Sequence, residues 1–161
     1  MELRIGHGFD VHQLVENRAF WLGGVLIPHS KGALGHSDAD VLIHAICDAI
    51  LGAANLGDIG QHFPDTDSKF KNIDSKVLLQ ETCSLMKNSG WSINNIDSTL
   101  CLEKPKISPF VEEMKKAIAL AASIDVGRIS IKATTNEKMG FIGREEGVVA
   151  HAIVMLTNAK T

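Results

Sequence analysis

Asp10 and His12 stand two residues apart in the run Gly8-Phe9-Asp10-Val11-His12. In an extended strand that spacing turns both side chains to one face. A third candidate, His44, falls inside the strongly apolar run Val41 to Ala54. One carboxylate and two imidazoles are a ligand set that suits Zn²⁺, with the fourth position left for water or substrate. A plainer reading has Asp10 and His12 simply ending a strand, with His44 a core histidine. Asp40, His44 and Asp48 weigh against it, because their i, i+4, i+8 spacing draws one stripe along an otherwise apolar helix. Unpartnered charge in such a setting is costly. A metal-bound histidine commonly gives its second N–H to a carboxylate, a role open to Asp40 or Asp48. A solvent-facing stripe is the alternative.

Three further segments bear on chemistry. Gly35-His36-Ser37 precedes a helix, where free backbone N–H groups favour a phosphate. Gly57-Asp58-Ile59-Gly60-Gln61-His62-Phe63-Pro64-Asp65-Thr66-Asp67 is too rich in Gly and Asp for core and too long for a simple connector. It reads either as a site-covering loop that binds hydroxyls or as a solvated loop. Lys106 follows a strand end, and Ala133-Thr134-Thr135-Asn136-Glu137-Lys138 leads through Phe141 to Arg144. Hydroxyls with Lys and Glu suit a phosphate bridged by a hard divalent ion such as Mg²⁺; a polar hairpin loop is the other reading.

The whole chain sets bounds on these readings. It has 161 residues, about one domain's worth, with 45% apolar and 22% charged residues, which excludes global disorder. A net charge of −3 leaves no broad basic surface for nucleic acid or an anionic membrane. No apolar run approaches the roughly 18 residues of a membrane span, and the first residues do not resemble a secretion or import signal. A cytoplasmic protein is therefore expected. The 3 cysteines, Cys47, Cys83 and Cys101, form no paired metal motif and read as buried thiols. Of 7 histidines, all but His151 fall between His7 and His62.

The elements that must position these residues follow from periodicity. Leu3 to Val11 reads as a first strand, and Phe20 to Pro28 as strand material around a turn at Gly23-Gly24. His29 to His36 reads as a loop. Ser37 is the expected N-cap of the Val41–Ala54 helix. Asp74 or Ser75 caps a second helix, with Val77, Leu78, Thr82, Leu85 and Met86 inward and Gly90 as its stop. Ile96 to Glu103 alternates as a strand. Ser108-Pro109 opens a third helix that ends near Ser123, with Phe110, Met114, Ile118 and Ala121 inward. Ile129 to Thr134 and Val148 to Thr157 read as two more strands. This order lacks strict βα alternation. It predicts a single α+β domain over residues 1–161, with a mixed four-stranded sheet, a short β-hairpin and helices on one face.

Taken together, the segments around Asp10, His36–Asp48, Gly57–Asp67 and Lys132–Arg144 resemble one family closely, the 2-C-methyl-D-erythritol 2,4-cyclodiphosphate synthases of the non-mevalonate isoprenoid pathway. The motifs run in order from near Met1 to past Arg144, essentially the whole chain. The resemblance implies a phosphorus–oxygen lyase that closes the cyclic diphosphate of 4-diphosphocytidyl-2-C-methyl-D-erythritol 2-phosphate and releases CMP. It implies Zn²⁺ on Asp10, His12 and His44, and Mg²⁺ or Mn²⁺ on Glu137. His36 and Ser37 then contact substrate phosphates, with Asp48, Lys106 and Thr135 also assigned to catalysis or phosphate contact. Asp58, Ile59, Gly60, Phe63, Pro64, Asp65, Thr66 and Asp67 take the sugar-like hydroxyls, and Ala133, Thr134, Phe141 and Arg144 complete the substrate pocket. A homotrimer around a central cavity, with active sites between subunits, is implied as well. His151 stands where some relatives are expected to carry Glu near that axis. A zinc phosphohydrolase and a non-catalytic nucleotide- or metal-binding module are the rival functions.

Overall fold

The computed structural model describes residues 1–158. The strands are β1 (Glu2–Glu16), β2 (Phe20–Leu22), β3 (Val25–Ile27), β4 (Lys31–Leu34), β5 (Ser92–Cys101), β6 (Ile129–Thr134) and β7 (Gly147–Asn158). The helices are α1 (Val41–Ala54), α3 (Ser75–Asn88) and α4 (Val111–Ala122), with single turns α2 (Ile59–His62) and α5 (Gly140–Gly143). Five strands form one mixed sheet in the order β4-β1-β7-β5-β6, and β2 and β3 form a separate hairpin. The helices cover one face. The architecture is the expected α+β one, with five sheet strands in place of four. The fifth is β4, expected as loop. Its four residues pair with Gln13–Glu16 at the sheet edge, where β1 runs past the predicted end at Val11. Strand periodicity cannot show in so short a segment with Gly32 inside it.

β7 is the spine of the sheet. It pairs antiparallel with β1 from Glu2↔Asn158 to Gln13↔Gly147, and antiparallel with β5 on its other side. β5 and β6 are the parallel pair, with α4 as their crossover. Val148, Ala150, Ala152, Val154 and Leu156 point into the core, as alternation requires. Against them lies α1, apolar nearly all round and buried from Val41 to Ala54 except at His44, Asp48 and Gly52.

Two features fix α1. Asp40, not Ser37, is its N-cap. The fully buried Asp40 carboxylate accepts from Ile43 N–H at 3.1 Å, from Gly23 N–H at 2.9 Å and from Gly24 N–H at 2.6 Å. The cap is thus shared with the hairpin turn, where both glycines have positive φ. The second feature is the approach of α1 to β1. A Cβ on Gly8 would overlap the Ala45 carbonyl, and one on Gly6 the Ala49 carbonyl. Helix and strand therefore touch backbone to backbone.

On α3 the buried face is Ser75, Leu78, Leu79, Thr82, Cys83 and Met86, while Val77, expected inward, is 40% exposed. Met114, Ile118 and Ala121 of α4 are buried as expected. Cys47 and Cys83 are buried thiols, and Cys101 is half-buried. No described helix covers the far face of the sheet. Leu3, Ile5, Phe9, Val11 and Ile153 are exposed there, around a contact of His7 Nε2 with His151 Nδ1 at 3.3 Å.

Gly8→Ala tests the helix–strand contact. It is expected to destabilise the fold by at least about 3 kcal/mol in urea unfolding; a loss under about 1 kcal/mol would contradict it.

Candidate metal centre and its flanking clefts

Asp10 and His12 leave β1 on its helix-covered side, where the strand passes the start of α1. His44, one turn into α1, drops onto them. Asp10 Oδ2 lies 3.1 Å from His12 Nε2 and 3.0 Å from His44 Nδ1, and the two nitrogens are 3.1 Å apart. These three side chains form the one group of three or more metal-competent residues among the described residues.

The outer hydrogen bonds decide what this triangle holds. His12 Nδ1 lies 3.1 Å from the Leu34 carbonyl, which only accepts, so Nδ1 carries the proton and Nε2 is a lone pair. His44 Nε2 faces Ser75 Oγ at 2.9 Å and Ser37 Oγ at 3.2 Å. With its proton there, Nδ1 is also a lone pair. Three electron-rich atoms then converge on one point, which is stable only with a cation between them: a proton or a metal. Burial works to raise the Asp10 pKa, but hydrogen bonds and charge from His12 and His44 outweigh it and bring the carboxyl down to about 2. Burial likewise works against a protonated His44, and Asp10 outweighs it to raise that pKa. The donor set and its convergence fit a divalent ion.

The second N–H of His44 goes to neither Asp40 nor Asp48. Asp40 caps α1. Asp48, half-buried, accepts Ile59 N–H at 2.7 Å and so anchors α2; burial raises its pKa and the Ile59 bond opposes. At the start of the helix the N–H groups of Asp38, Ala39 and Asp40 donate to Ile73 O, Ser37 Oγ and Asp38 Oδ1, so these three are taken, while Gly35, His36 and Ser37 just before them line the cleft beside the triad. Arg18 Nη2 clamps the preceding turn through Gly35 O at 2.9 Å and Ser37 O at 3.1 Å, a role with no signal in the sequence.

The triad opens into a cleft of about 590 Å³ whose lining includes His36, Ser37, Ile59, Gly60 and the stretch Phe63 to Thr66. Phe70, Ile73 and Leu78 complete its wall, and no motif in the sequence marks them for it. Asp58 and Asp67 are outside that lining, each capping a turn: Asp58 accepts Gln61 N–H at 3.0 Å and Asp67 accepts Lys69 N–H at 2.9 Å. A second cleft, about 490 Å³, holds Lys106, Ala133, Thr134 and Thr135 together with Glu103 and Ile107. It lies beyond the carboxyl ends of the parallel strands β5 and β6, where α/β sheets commonly bind ligands. Glu137, Phe141 and Arg144 line neither cleft. Glu137 is exposed at φ 51°, and Arg144 pairs with Glu146 at 3.0 Å.

The two clefts share a level but not a place. Register aligns Val11, Val149, Cys101 and Thr134 in one row across the sheet. β7 and β5 lie between β1 and β6, so three strand spacings, about 14 Å, separate the metal strand from the threonine strand.

A fold with this triad, set between a mixed sheet and a buried helix, falls in a known class: residues 3–157 match the YgbB family, and the chain belongs to it. A protein of Cytophaga hutchinsonii named 2-C-methyl-D-erythritol 2,4-cyclodiphosphate synthase is 59% identical, with 97% of this chain and 98% of that one covered. Among solved structures, the bifunctional IspDF of Campylobacter jejuni superposes with a TM-score of 0.95 at 46% identity, covering 98% of this chain and 43% of that longer one. IspF of Plasmodium falciparum, solved as a CDP complex, has a TM-score of 0.86 at 34% identity, with 98% and 97% covered. No described helix is long and apolar enough to cross a membrane.

His12→Ala removes one corner of the triangle. Zinc affinity, measured by equilibrium dialysis with metal analysis, is expected to fall at least about 100-fold; unchanged affinity would place the ion elsewhere.

Proposed function

We propose that this chain is a phosphorus–oxygen lyase that converts 4-diphosphocytidyl-2-C-methyl-D-erythritol 2-phosphate to 2-C-methyl-D-erythritol 2,4-cyclodiphosphate and CMP. The observation that carries this reading is the Asp10–His12–His44 triangle at the mouth of the larger cleft. The relatives named as 2-C-methyl-D-erythritol 2,4-cyclodiphosphate synthases over nearly the full length support the cyclic diphosphate as its product.

In this reaction the 2-phosphate attacks the β-phosphorus and CMP leaves. The nucleophile needs little base, since a phosphate monoester is largely dianionic near pH 7, with a second pKa of about 6. The obstacles are repulsion between phosphates and their orientation. Asp10, His12 and His44 would hold the ion, Zn²⁺ in this reading, which when bound would supply positive charge against a phosphate. His36 and Ser37 hold the phosphates beside the triangle. Ile59, Gly60 and the stretch from Phe63 to Thr66 enclose the erythritol, with Asp58 and Asp67 shaping that loop at its rim. Asp48 acts through Ile59, by fixing α2. Lys106, Ala133, Thr134 and Thr135 receive the cytidine diphosphate in this reading; a relative solved as a CDP complex supports a nucleotide ligand for the chain. Glu137 belongs to no metal-competent group among the described residues, so it would hold Mg²⁺ or Mn²⁺ only with phosphate oxygens of a bound ligand supplying further ligands. Phe141 and Arg144 flank the same loop. Orientation of the two reacting phosphates is the largest effect available, up to roughly 7–11 kcal/mol.

The separation of the clefts bears on assembly. One substrate bridging them within a chain has to span three strands past packed core. A second copy can instead bring its Thr134–Thr135 cleft to this chain's metal centre. The uncovered apolar face, with Leu3, Ile5, Phe9 and Ile153 exposed, provides surface for self-association. We therefore favour a homotrimer with shared sites around a cavity that His7 and His151 line, each chain, residues 1–161, working as one domain.

Product analysis by phosphorus NMR is expected to give cyclodiphosphate and CMP in equal amounts; a linear phosphate would mean hydrolysis. Subunit sharing has its own test. His12→Ala and Lys106→Ala chains, each inactive alone, are expected to regain a measurable part of the parent rate when unfolded and refolded together. No recovery in verified mixed oligomers would place both clefts' roles within one chain.

A further inference from the structure

Ser75 is fully buried at the first position of α3, thirty-one positions from His44 in sequence and in contact with it in space. Both of its donors point away from the metal triangle. Its backbone N–H donates to Asp38 Oδ2 at 2.9 Å, and its hydroxyl donates to Asp38 Oδ1. With its proton committed, the hydroxyl oxygen can only accept from His44 Nε2, 2.9 Å away. Ser37 Oγ, at 3.2 Å from the same nitrogen, imposes no such direction, because its own proton is not committed to a fixed acceptor among its contacts.

We propose that Asp38 and Ser75 are positioning residues that lock the ring and tautomer of His44, keeping Nδ1 as the metal-facing lone pair. The device is a carboxylate–hydroxyl–imidazole chain, in place of the direct carboxylate–imidazole contact common at metal sites. It divides the two histidine ligands. His12 is held by a main-chain carbonyl, Leu34 O, whereas His44 depends on two side chains. It also ties metal affinity to the docking of α3, because Ser75 reaches His44 only when α3 begins where Asp74 caps it. A hydroxyl serves better here than a second carboxylate directly on the imidazole. The ring is nearly enclosed, and the relay leaves the charge on Asp38, which is partly solvated.

This inference rests on the metal reading above, and its test separates the two. Zinc affinity is measured by chelator competition for parent, Ser75→Ala, Asp38→Ala and the double variant. Ser75→Ala is expected to weaken zinc about 10- to 100-fold. Because the two residues act in series, the double variant is expected to bind about as weakly as Ser75→Ala alone. Losses that multiply would overturn the relay, and so would Ser75→Ala binding zinc within about twofold of the parent. Should the variants fail to fold, nitrogen NMR of the zinc-loaded parent decides. A slowly exchanging proton on His44 Nε2 supports the relay; a proton on Nδ1, or rapid exchange at Nε2, overturns it. If His12→Ala also binds zinc as the parent does, the metal reading itself fails, whatever Ser75 does.

Discussion

The contact on which the rest of the molecule depends is the one between the backbones of β1 and α1. Gly6 and Gly8 present no side chains to Ala45, Ala49 and Ala53, so the helix settles directly on the strand. Interiors are packed too tightly for such a gap to open by one methyl group without cost elsewhere. That closeness brings His44 within 3.0 Å of Asp10, thirty-four positions away along the chain. The shared cap at Asp40 fixes the rotation of the same helix. A helix turned by one residue would carry His44 about 100° away from the triangle. The core and the site are therefore set by one packing decision.

Electrostatics then sort the acidic residues by the partners they find. Asp40 is wholly enclosed, and burial together with the charge of Asp38 pushes its pKa up, opposed by three backbone N–H groups. Asp10 is drawn the other way by two imidazoles. Asp48 is satisfied by Ile59 N–H. Asp38 takes both donors of Ser75. None of these carboxylates is idle, and each organises a different element: hairpin, metal centre, cleft loop and α3. Buried charge is tolerated only with such partners, and each partner is a constraint on where an element can lie.

The separation of the two clefts follows from the sheet order. Asp10 and His12 lie on the strand next to the β4 edge, and Thr134 ends the strand at the other edge. An antiparallel spine, β7, holds them on one level and keeps them apart. A reaction that must hold one charged molecule at several points gains from such separation if a neighbouring copy closes the gap. Fixed groups cost little reorganisation when the substrate arrives.

Much of this is legible in the sequence. The two-residue spacing of Asp10 and His12 gives a shared strand face, and the run from Val41 to Ala54 gives a buried helix, because both rest on local periodicity. β6 and the helix ends near Asn88 and Ala122 are readable for the same reason. Local pattern misleads at four places where the deciding partner is remote. β4 is a strand only because Gln13–Glu16 offers it an edge. Asp40 displaces Ser37 as the cap because Gly23 and Gly24 come to meet it. Val77 turns outward because α3 packs through Leu79 and Cys83. His44 finds Ser75 rather than a carboxylate of its own helix. The sequence by itself determined which residues are candidates for chemistry and on which elements they ride. Only the tertiary structure decided which of them meet, because hydrogen bonds and metal ligation depend on distances of about 3 Å that no periodicity along the chain can encode.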